Sequence, residues 1–125
     1  MSSQHVQVII ASGTSEPKRL LLGLSLAAGA AAAGTVVNLF FAMDGAQCLA
    51  PGVCDATLLE GYPTVSELLG IIKDSGGVIE YCPHCLPTGC PHQPQGLESS
   101  CGCKGIPAGL TSYGVRLADW PTVVF

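Results

Sequence analysis

Seven cysteines in a chain of 125 residues are its most chemically active feature, and five of them fall between Cys82 and Cys103. The first pair, Cys82-Pro83-His84-Cys85, follows Val78-Ile79-Glu80-Tyr81, which reads as a strand running into Cys82. In open parallel α/β sheets, ligands gather beyond the carboxyl ends of the strands. A thiol placed there, at the start of a helical turn and beside a protonatable His84, has a lowered pKa and can act as a nucleophile. Three chemistries are open to this segment. Cys82 can serve as a nucleophile, with Cys85 as a second thiol able to resolve a persulfide or a disulfide. Cys82, Cys85, Cys90, His92, Cys101 and Cys103 supply more than the four soft ligands of a zinc ion, or the four thiolates of an iron–sulfur cluster. Finally, Cys-Pro-His-Cys is a setting suited to thiol–disulfide exchange.

The state of these thiols depends on compartment. Met1-Ser2-Ser3-Gln4-His5 carries no basic segment, and the apolar run Val6 to Ala11 is short for the core of a secretory leader. A cytoplasmic location is therefore expected, where clustered cysteines mark metal or sulfur chemistry more often than disulfide staples. Cys48 and Cys54, on either side of Pro51-Gly52, are expected to be small buried hydrophobes. Hydrophobic residues make up 48% of the chain and charged residues 11%, with mean hydropathy +0.46. That excludes intrinsic disorder. The net charge is −4, and Lys18-Arg19 is the largest basic cluster, so a nucleic-acid partner is not expected. So little charge on so apolar a chain also predicts surface covered by other copies of itself.

The uncharged stretch from Leu20 to Met43 is long enough for a membrane helix. Its Ala/Gly-rich first half contributes little to transfer into lipid, however, and Thr35 to Phe41 is rich in strand formers. A buried helix followed by a buried strand accounts for both halves, and no membrane span is expected. His5 to Ala11 is a first buried strand, and Ser12-Gly13-Thr14 a turn whose N–H groups could cradle an anion. Ser15 is the expected cap of a helix that starts with Glu16 and Pro17, runs to about Ala33, and ends at Gly34 as a left-handed residue. Thr35 to Phe41 completes a βαβ unit, followed by Met43-Asp44-Gly45 and an irregular stretch to Pro63. Thr64 with Glu67 forms a capping box for a helix over Val65 to Asp74, closed by Ser75-Gly76-Gly77. After the strand at Val78, a Cys/Pro/Gly-rich loop occupies about 82–109, and Thr122 to Phe125 is a terminal strand. Continuous apolar strands predict a parallel sheet covered on both faces.

The strand with its Ser-Gly-Thr loop, the Ala-rich helix, Gly-Thr-Val-Val-Asn-Leu-Phe-Phe leading to Met43-Asp44-Gly45, and Ser75-Gly76-Gly77-Val78-Ile79-Glu80-Tyr81-Cys82 together resemble the DsrE/DsrF-like (YchN/TusD-like) sulfur-relay family. The resemblance covers residues 5 to 86 and, weakly, the terminal strand. It implies a single domain over 1–125: a flavodoxin-like, three-layer α/β fold with a mostly parallel sheet of about five strands. It also implies homotrimers or hexamers, and sulfur donor and acceptor proteins as partners. In that family a cysteine after the fourth strand accepts sulfane sulfur as a persulfide and passes it on; by position this is Cys82, with no cofactor required. Ser12, Gly13, Thr14, Asp44 and His84 are the expected neighbours of the site. The chain departs from the family where a helix would follow the cysteine, because Pro87, Pro91 and Pro94 cannot continue one. The zinc or iron–sulfur reading and the exchange reading stand beside the carrier reading.

Overall fold

The computed structural model describes residues 4–50, 52–85 and 106–125. Strand β1 (His5–Ile10) leads into helix α1 (Pro17–Ala32), strand β2 (Val36–Phe41) and a 3₁₀ segment, Met43–Leu49. Helix α2 (Val65–Asp74), strand β3 (Val78–Tyr81) and a 3₁₀ turn, Pro83–Cys85, come next. Strand β4 (Ile106–Pro107), helix α3 (Leu110–Arg116) and strand β5 (Thr122–Val124) complete the elements. The sheet has five strands in the order β4-β3-β2-β1-β5, and every pairing is parallel. The expected α/β class and strand number are met, and the sheet is wholly parallel.

Side chains alternate across a strand, and the two faces bury different things. Val8, Ile10, Val37, Leu39, Phe41, Ile79 and Tyr81 point to one face, where Leu20, Leu21, Leu24 and Ala28 of α1 and Leu68 and Ile72 of α2 complete the larger core. The small residues of α1 allow this close approach: a Cβ on Gly23 would meet Ile10 and Phe125 side-chain atoms at 2.7–2.8 Å. Phe40 and Ile9 point the other way, to a smaller cluster with Tyr113 of α3. The result is three layers: α1 and α2, the sheet, and α3.

The capping box at α2 forms as its sequence predicts, with Thr64 accepting from the Glu67 N–H and Glu67 reaching back to the Thr64 N–H. Gly34 is left-handed, at φ 99°. The start of α1 differs from expectation: Glu16, not Ser15, is the N-cap, and no side chain caps the helix. A turn bond from the Glu16 N–H to the Gly13 carbonyl (3.0 Å) moves the helix start onward by one residue. The irregular stretch after β2 begins as the 3₁₀ segment. The loop over 82–109 is interrupted by the 3₁₀ turn and by β4, and α3 follows it unforeseen. No helix among the described residues is long and apolar enough to cross a membrane.

Candidate functional site

The register sets Ile10, Phe41, Tyr81 and Pro107 level with one another at the carboxyl end of the sheet. The ladder then continues for one more row. The Ala42 N–H donates to the Ile10 carbonyl (3.0 Å), the Cys82 N–H to the Phe41 carbonyl (2.9 Å), and the Ala108 N–H to the Tyr81 carbonyl (2.9 Å). Cys82 is thus fixed at the mouth of β3, the third strand in chain order, where the family pattern puts the cysteine after the fourth. Alternation turns its side chain toward α3, into the cluster with Phe40, Ala42 and Tyr113. Its exposure is only 8%.

Cys85 is the outer thiol of the pair. The 3₁₀ turn closes with the Cys85 N–H donating to the Cys82 carbonyl at 3.1 Å, and Cys85 packs half-buried against the cluster that holds Cys82. Its pKa is raised, first by partial desolvation and then by the hydrogen bond its thiol gives to Cys82; a hydrogen bond from the Met43 backbone opposes the rise. Met43 adopts φ 51°, a left-handed conformation uncommon outside glycine. His84, between the two cysteines, faces solvent. The three-residue turn is too short to supply the helix-terminus field expected at Cys82.

A roof over Cys82 comes from α3. Tyr113 stacks on Phe40 with ring centroids 4.2 Å apart, and its hydroxyl donates to Glu80. The Arg116 guanidinium lies 4.8 Å over the Tyr113 ring and 5.2 Å over Trp120, with Nη1 3.9 Å from Glu80 Oε1. Burial, and then the hydrogen bond to Glu80, keeps the Tyr113 hydroxyl protonated well above the usual phenol range. From the sheet, Gln7 Nε2 donates to the Tyr113 carbonyl (3.3 Å) and to Thr122 Oγ1 (2.9 Å).

The first loop joins the same end of the sheet through Gln47. Its Oε1 accepts from the Thr14 N–H (3.0 Å) and lies 3.2 Å from Thr14 Oγ1. The amide that would have faced an anion is thereby occupied by a side chain. Ser12 and Gly13 are buried, whereas Thr14 and Asp44 are exposed. Among the described residues no three His, Cys, Asp or Glu side chains are grouped to hold a metal ion. Four of the six candidate ligands, Cys90, His92, Cys101 and Cys103, lie outside the described residues. Met43, Gln47 and Tyr113 all shape the site, yet carry no signal in sequence: a left-handed methionine, a loop glutamine and an aromatic on a seven-residue helix belong to no motif.

Cys48 and Cys54 lie in the larger core, with Cys54 Sγ 3.1 Å from the Cys48 carbonyl oxygen; contrary to the expectation of a plain buried thiol, Cys54 is disulfide-bonded. Burial pushes the Cys48 thiol from 9.0 up to about 12. Because the folded state holds this proton more tightly, the associated stability is complete below pH 9 and is lost as pH rises toward 12. Thermal unfolding followed against pH should show a melting temperature that begins to fall above about pH 9. In Cys48→Ala the fall should be shallower, with the raised Cys85 and Tyr113 left to contribute. An equally steep fall in that variant would refute this assignment.

No protein-family model matches the chain, and no curated protein gives a significant match. Among solved structures, the YchN protein of E. coli aligns over 99% of this chain and 100% of its own, with a TM-score of 0.70 and 17% identity. The three-layer α/β architecture that holds Cys82 and Cys85 at one end of a parallel sheet is therefore the fold of YchN.

Proposed function

We propose that this chain is a sulfur carrier of the DsrE/DsrF-like type, accepting sulfane sulfur on Cys82 and handing it to a partner protein. The observation that carries the reading is the Cys82 thiol at the carboxyl mouth of an internal parallel strand, with a second cysteine, Cys85, packed on the cluster that holds it. The Cys82 thiolate attacks the outer sulfur of a donor persulfide. A new bond forms between Cys82 Sγ and that sulfur, the donor's S–S bond breaks, and the donor leaves as a thiolate that takes up a proton. An acceptor thiolate later attacks the same outer sulfur and releases Cys82. No metal or organic cofactor enters this sequence.

The fold shared with YchN supports the reading, as does a side chain whose surroundings, Phe40, Ala42 and Tyr113, keep water from the inner sulfur. Sulfur donor and acceptor proteins are the partners this chemistry needs, and a reducing, cytoplasmic setting keeps the thiols available. Exposed apolar side chains on α3 and β5, Val115 at 78% and Val124 at 61%, support association of copies. Light scattering that gave a monomeric mass would end that part of the proposal.

Intact mass spectrometry after incubation with a low-molecular-weight persulfide tests the carrier. The protein should gain about 32 Da, one sulfur atom, and Cys82→Ser should gain nothing at that position. A wild-type chain that takes up no sulfur, or a Cys82→Ser chain that takes it up at the same site, overturns the proposal. The zinc or iron–sulfur reading predicts stoichiometric metal in the purified protein instead.

A further inference from the structure

We propose that Cys85 is a resolving thiol, which turns the loaded carrier into a source of free sulfide. This inference rests on the carrier reading above. In the step, Cys85 Sγ attacks the inner sulfur, the one belonging to Cys82. A Cys82–Cys85 disulfide forms, the bond between Cys82 Sγ and the outer sulfur breaks, and its electron pair leaves on the outer sulfur as hydrosulfide. The Cys85 proton goes to solvent. The sulfane sulfur is reduced by two electrons and the two thiols are oxidised by two, so the step needs no external oxidant. A dithiol reductant then restores both cysteines.

Geometry makes this attack available to Cys85. The turn bond between the Cys85 N–H and the Cys82 carbonyl, 3.1 Å, is an i to i+3 closure. Such a closure keeps Cα atoms within about 7 Å, near the roughly 4.4–6.8 Å that a disulfide spans. Cys85 already packs on the cluster around Cys82. Phe40, Ala42 and Tyr113 enclose Cys82, which leaves 8% of the residue exposed. An acceptor protein can reach the projecting outer sulfur, whereas the inner one is screened from outside thiols and open to the neighbour. The Met43 N–H, delivered by a left-handed backbone, bonds to the Cys85 sulfur and favours its anion. That contact competes with the desolvation that raises the Cys85 pKa.

The test uses the full chain, Cys85→Ser and Cys85→Ala, each loaded with glutathione persulfide and desalted to remove donor. Each is then held without reductant at about pH 8, with intact mass and released sulfide followed in time. The wild type should lose its added sulfur at least about tenfold faster than either variant, since the attack is intramolecular. It should release one sulfide per loaded Cys82 and end about 2 Da below the reduced mass, with the bond located to Cys82 and Cys85 by fragmentation. Both variants should keep the added sulfur. A wild-type persulfide as long-lived as that of the variants overturns the resolving role while leaving the carrier intact. So does an added sulfur that migrates to Cys85, or a disulfide that maps elsewhere. Variants that never gain sulfur overturn the carrier reading, and this inference with it.

Discussion

Tyr113→Ala should destabilise the protein by about 4 kcal/mol, in the range for truncating a buried aromatic, and should uncover Cys82. Tyr113 is 1% exposed and stacks on Phe40. Removing the ring opens a cavity between α3 and the sheet, strips Glu80 of its hydroxyl donor, and leaves Arg116 without one of its two aromatic platforms. Tyr113→Phe separates these effects, because it keeps the stack and loses only a hydrogen bond to a carboxylate, worth roughly 1.5–3 kcal/mol. Chemical denaturation gives the stabilities. Labelling of Cys82 by an aromatic disulfide reagent, located by mass, gives the accessibility, and should rise at least about tenfold in the alanine variant, relative to the intact intramolecular cover. A Tyr113→Ala protein of near wild-type stability with Cys82 still protected would show that α3 does not guard the thiol.

Gly45→Ala should be the most damaging glycine substitution among the described residues. A Cβ there would stand 1.8 Å from the Ile10 carbonyl oxygen and 2.7 Å from its carbon. These are backbone atoms, and that oxygen accepts the Ala42 N–H in the row that carries the sheet toward the site. Neither can yield without breaking the ladder, so a loss above about 3 kcal/mol is expected. The same substitution at Gly29 in α1 or Gly70 in α2 meets nothing within 4 Å. There it should stabilise by up to about 1 kcal/mol, because alanine is the better helix former. Denaturant melts of the three variants check the contrast. Equal effects at all three positions would mean that crowding at Gly45 is not what fixes that residue.

Legibility in the sequence followed the strength of local signals. The helix over Val65–Asp74 was readable to the residue because Thr64 and Glu67 mark its start and Gly76, at φ 87°, its end. β1, α1 and β2 were readable because apolar runs and Gly34 delimit them. β4 was not, since two residues including a proline at a sheet edge leave no periodicity to detect. Nor was α3: Leu110-Thr111-Ser112-Tyr113-Gly114-Val115-Arg116 has a glycine and two β-branched residues, no side-chain cap, and only Tyr113 buried. Packing on Phe40 and the tie to Glu80 hold it, and those contacts are long-range. The position of Cys82 at a strand mouth was legible from Val78 to Tyr81. Its enclosure was not, because the covering residue comes from α3.

Strand β1 takes its two neighbours from opposite parts of the chain, β2 soon after it and β5 far beyond, with Gln7 and Thr122 separated by 115 positions. Long closures of this kind are slow to form. As the polypeptide leaves the ribosome, β1, β2 and β3 can pair while α3 and β5 are still being made. A newborn chain therefore passes through a stage with Cys82 bare and one flank of the sheet unpaired, when stray oxidants and sticky strands find it most easily.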